Sequence, residues 1–74
     1  MEQVKDVANQ PHYTQFKIQP IVFIMANKLD YPTGNVIKYV CRQKMKNGLE
    51  DLKKARVYID YLIKEAEEAQ KNNQ

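Results

Sequence analysis

The sequence predicts an all-α, three-helix domain with a helical hairpin and a long C-terminal helix, and three features predict it. From Pro20 onward, apolar residues recur at helical spacing rather than in alternation. Proline, glycine and capping residues interrupt that pattern at Asp30–Thr33 and again at Asn47–Gly48. Beyond the second break, Leu52, Ala55, Ile59, Leu62, Ala66 and Ala69 alternate spacings of three and four, the signature of one continuous apolar stripe. With 74 residues the chain makes a single domain whose core is marginal without a supplement. Cys41 is the only cysteine, so neither an internal disulfide nor a thiolate metal site can supply it. Assembly as a homo-oligomer is therefore expected.

Residues 1–10 have no sustained period and are expected to form a flexible arm, leaving 11–70 as the helical domain and 71–74 as a frayed tail. The segment PHYTQFKIQ is expected to form an ordered, non-helical lead-in. The first helix is expected to start at Pro20, because proline suits a first helical turn, and to reach about Leu29. Its nearly continuous apolar residues imply burial on most sides. Asp30, Tyr31 and Pro32 should break it, and Thr33 should cap a second helix from about Gly34 to Lys46. On that helix Val36, Ile37, Val40 and Cys41 share one side, and Asn35, Lys38, Tyr39, Arg42 and Lys46 fall within an arc of about 100° on the other. Asn47 and Glu50 have the spacing of a capping box for a third helix, about Leu49 to Gln70.

Net charge is +3, but the local balance is more informative. Between Asn35 and Arg56 stand seven Lys or Arg against Glu50 and Asp51 alone. Such a concentration suits an anionic partner, and the absence of an apolar run of about 18 residues argues against a membrane span. A soluble protein of a reducing cytoplasm is the expectation. Gly34 and Asn35 at a helix N-terminus would offer unpaired N–H groups to a phosphate, with Lys38 and Arg42 extending the positive potential one and two turns on. The alternative is a solvated helix face with Gly34 serving only the turn. Asp51 lies near the middle of the third helix's apolar stripe, where a carboxylate is costly unless paired, so Arg42 or Lys38 should cross to meet it. Lys46 and Lys54 could close the site. Tyr39, Tyr58 and Tyr61 could stack on a base or serve as core, and His12, the only histidine, could contact ligand or pack the lead-in.

Catalytic patterns are largely missing. There is no P-loop, no GxGxxG and no second His or Cys. Glu65 and Glu68 form an ExxE pair without evident acidic partners on another helix, so no metal site and no cofactor are expected.

The stretch from Pro11 to Lys64 carries PHY, IQPIVFI, GNVIKYVCR, KNG and EDLKKARVYIDYLI. On these motifs the chain resembles the SaV-like family of small bacteriophage proteins, a domain of unknown function. It departs from the family at Gln19, where Glu is common, and at Cys41, where an aromatic is frequent. A related segment occurs in a phage nucleotide kinase that lacks a P-loop, so the resemblance implies a link to nucleotides. The kinase carries additional sequence that this chain does not have. The function expected is therefore a phage-encoded oligomer in the cytoplasm of an infected host, sequestering a nucleotide-like signalling molecule without catalysis. Its ligand residues would be Gly34, Asn35, Lys38, Tyr39, Arg42, Lys46, Lys54 and His12. A nucleotide-metabolism enzyme or accessory, with Asp51 or the tail carboxylates holding magnesium, and a nucleic-acid-binding module are the alternatives.

Overall fold

The computed structural model describes residues 16–45 and 47–72, which form α1 (Pro20–Ala26), α2 (Tyr31–Arg42) and α3 (Gly48–Asn72), with no strand among them. α1 opens at Pro20 as expected, with Gln19 extended ahead of it. It stops at Ala26 rather than near Leu29 because Lys28 takes the left-handed conformation, φ +52°. From there the Lys28 N–H donates to the Met25 carbonyl and the Leu29 N–H to the Ile24 carbonyl, both at 3.1 Å. This is the Schellman pairing that usually ends on glycine, and it satisfies carbonyls that the helix leaves orphaned.

α2 starts three residues before the expected Gly34. Asp30 is its cap: the carboxylate Oδ1 accepts from the Thr33 N–H at 2.8 Å, which puts Thr33 inside the first turn instead of ahead of it. That hydrogen bond holds the Asp30 carboxyl below its ordinary pKa. Pro32 occupies a first-turn position where a missing N–H costs nothing. Asp30–Pro32 thus begins a helix instead of breaking one. α2 also ends earlier than expected, at Arg42.

The cap of α3 is shifted by one residue from the expected Asn47–Glu50 box. The Asn47 N–H donates to Asp51 Oδ2 at 3.2 Å, while Glu50 lies 3.8 Å from Lys54 Nζ one turn on. The helix then runs to Asn72, past the expected end at Gln70. No helix among the described residues is long and apolar enough to cross a membrane.

α1 packs on α2, and α2 packs on α3. At the first contact a Cβ on Gly34 would lie 2.9 Å from Ile24 Cγ2, so glycine is what lets the two helices approach. At the second contact the expected orientation of α2 is reversed. Its polar arc turns inward: Asn35 is buried, Arg42 meets Asp51 and Tyr39 stacks on Tyr58. Its apolar side is less covered: Ile37 and Cys41 are half-buried beside Phe16, Pro20 and Phe23, and Val40 is exposed. Burial pushes the Cys41 thiol pKa up.

α1 is likewise not buried on most sides. Val22, Phe23 and Met25 face solvent, because the helix has a neighbour along one flank. Among the described residues, Ala55 and Pro20 are the buried apolar side chains. The reversal has a physical reason in pairing. A polar arc can enter an interface when its groups find partners there, and Asp51 and Tyr58 provide them.

Candidate functional site

The polar interface between α2 and α3 is built around two side-chain contacts. Asp51 is completely buried, one turn into α3, where the helix repeat points it at α2. Arg42, in the last turn of α2 with a side chain 15% exposed, brings Nε to 3.4 Å from Asp51 Oδ2. The same oxygen receives the Asn47 N–H, and Asp51 Oδ1 has no hydrogen-bond partner among the described residues. Of the two partners expected for Asp51, then, Arg42 takes the role and Lys38 does not. One turn along, Tyr39 and Tyr58 stack with centroids 6.1 Å apart and planes 12° from parallel.

Tyr39 also gathers the basic groups. Lys38 Nζ lies 4.6 Å from its ring centroid, Arg42 Cζ 5.1 Å and Lys54 Nζ 5.5 Å. Arg42 and Lys54 have acidic neighbours in Asp51 and Glu50, whereas Lys38 makes no ion pair among the described residues. Aromatic faces attract cations, but three positive charges around one ring also repel one another. An anion between them would relieve that repulsion.

Tyr58 continues the aromatic surface. Tyr31 meets it edge-on at 5.8 Å and Tyr61 lies 6.3 Å away at a 37° tilt. The Tyr58 hydroxyl first, and the Asn35 amide next, lower the pKa of Tyr31, while the Tyr31 hydroxyl raises that of Tyr58. Asn35 Nδ2 is buried with no hydrogen-bond partner among the described residues. A shallow cleft of about 370 Å³ follows these rings, lined by Tyr31, Pro32, Val57, Tyr58 and Tyr61. Clefts of this size accept small ligands.

Lys38, Tyr39, Arg42 and Lys54 are therefore brought together as the sequence predicts, with Asn35 buried beside them. Gly34 is not in the expected role. Because α2 starts at Tyr31, the Gly34 N–H already donates to the Asp30 carbonyl at 2.9 Å, and the residue serves the contact with α1. Asn35 likewise lies beyond the exposed first turn, so neither offers an N-terminal N–H to a phosphate. His12 and Lys46 lie outside the described residues. Tyr31 is a site candidate that sequence reasoning missed by treating it as a helix breaker. Its signal was the spacing Tyr31, Asn35, Lys38, Arg42, which places all four on one face once the helix is extended back. Among the described residues, no group of three or more His, Cys, Asp or Glu assembles to hold a metal ion.

Residues 7–60 match the family described as a protein of unknown function, DUF3310. The chain belongs to this family. The match covers most of the stretch, Pro11 to Lys64, whose motifs carried the family resemblance, and the DUF3310 segment contains Lys38, Tyr39, Arg42 and Lys54. No curated protein and no solved structure matches the chain.

Proposed function

We propose that this DUF3310 protein is a small homo-oligomer that binds a nucleotide-derived anion without transforming it. Following its resemblance to small bacteriophage proteins, it would be phage-encoded and would sequester a signalling nucleotide in the cytoplasm of the infected host. The observation that carries the reading is the convergence of Lys38, Arg42 and Lys54 within 5.5 Å of one tyrosine ring. In this reading the lysine ammonium groups and the outer nitrogens of Arg42 hold phosphate oxygens, and the Tyr31–Tyr58–Tyr61 cleft receives the aromatic part of the ligand.

The test is calorimetric titration of the full chain with a panel of linear and cyclic nucleotides. The expected result is a discrete, saturable site, with Lys38→Ala and Lys54→Ala each weakening affinity about tenfold, the value of one charge-assisted hydrogen bond. Both variants should keep the helical circular dichroism of the parent. Affinity that rises with oligonucleotide length and falls steeply with salt would replace this reading with nucleic-acid binding. Turnover of a nucleotide, abolished by a chelator, would replace it with an enzyme. Indifference to the whole panel would remove it.

A further inference from the structure

Along α3, the residues that meet α2 and the residues left in solvent form two separate stripes. Asp51, Ala55 and Tyr58 face α2, whereas Leu52, Ile59 and Ile63 lie about 90° round the helix and are 43%, 40% and 49% exposed. Ala66 and exposed Leu49 extend the second stripe toward the two ends. Leu52, Arg56, Ile59, Ile63 and Ala66 alternate spacings of four and three, the repeat that keeps one seam of a helix against a partner helix. Neither α1 nor α2 covers it.

We propose that a second copy of this chain covers this seam, α3 against α3, with the two helices antiparallel. The inference rests on the homo-oligomer reading and adds the surface and the orientation. Charge chooses the occupant. Within about 80° of the seam α3 carries Arg56 in its first half and Asp60 and Glu67 in its second. An antiparallel copy sets the basic end of each seam beside the acidic end of its partner's, whereas a parallel copy in register sets the two Arg56 side chains together. The register that puts Ile59 of each copy against Ile63 of the other also puts Arg56 over the small Ala66, within reach of Glu67.

Sedimentation equilibrium on the full chain tests this. Ile59→Asp should weaken self-association at least a hundredfold while the circular dichroism stays helical. Arg56→Glu and Glu67→Arg should each weaken it about tenfold, and the double variant should restore most of the loss, because each copy then presents the reversed pair. The charge variants lie on the exposed side of α3, so they remain informative if Ile59→Asp unfolds. An oligomer untouched by Ile59→Asp overturns the seam and leaves the oligomer reading intact. Losses in the two single charge variants that merely accumulate in the double variant overturn the antiparallel orientation. A parent chain that is monomeric at 100-fold the working concentration of the binding assay overturns the seam and the oligomer reading together.

Discussion

Replacing Arg42 by Ala removes the cation that reaches Asp51 among the described residues, and the cost can be worked from the geometry. Breaking a buried ion pair from one side typically costs about 3–5 kcal/mol, because the remaining charge is left desolvated. Here the figure is lower. Arg42 is 15% exposed, the contact is a single one at 3.4 Å, and the Asn47 N–H stays on the same oxygen. A loss of about 2–3 kcal/mol follows, against a total stability of about 4–11 kcal/mol for a chain of this length. Urea unfolding followed by circular dichroism reads it directly. With a slope near 1 kcal/mol/M the midpoint should fall by about 2–3 M with the slope unchanged. Asp51→Asn in the Arg42→Ala background should recover more than half of the loss, since no buried charge then remains. A loss under about 0.5 kcal/mol, typical of an exposed pair, or a double variant that is simply additive would refute the argument. The prediction also bears on the binding site: Arg42→Ala confounds folding with affinity, and Lys38 and Lys54 are the cleaner probes.

Gly34→Ala should destabilise by about 1 kcal/mol in the same assay, the overpacking against Ile24 Cγ2 outweighing alanine's better helix propensity. Lys28→Gly should stabilise by ~0.5–1 kcal/mol, because glycine takes the left-handed position without the Cβ penalty; a lower urea midpoint would argue that Lys28 has another role. Asp30 has a depressed folded-state pKa, so its contribution is complete above the unfolded value near 3.9 and is lost as pH falls through the folded value. Asp30→Asn, which keeps the cap but does not titrate, should flatten that acid limb in thermal melts between about pH 5 and pH 2.

The helix count, the order of the helices and the start at Pro20 were legible in the sequence, because periodicity and punctuation are local signals. The Asp51–Arg42 contact was legible for a different reason: a carboxylate on an apolar stripe needs a partner, and the hairpin offered only two. What was not legible was which side of α2 faces inward. Periodicity reports which residues share a face; it does not say whether that face meets water, and the stacking of Tyr39 on Tyr58 is a tertiary fact. The start of α2 was missed because Asp30 and Pro32 serve equally well to end a helix or to begin one. That error moved Gly34 to a helix terminus and gave it an anion-binding role, when its lack of a side chain instead serves the crossing with α1.

Both helix crossings of this fold are local in sequence. Arg42 and Asp51 are nine residues apart and Ile24 and Gly34 ten, and the chain needs only the short connections Gln43–Asn47 and Asn27–Asp30 to bring them together. Little loop entropy is lost in either closure, so the chain should fold on the microsecond-to-millisecond scale of small helical domains, with no slow search for a distant partner.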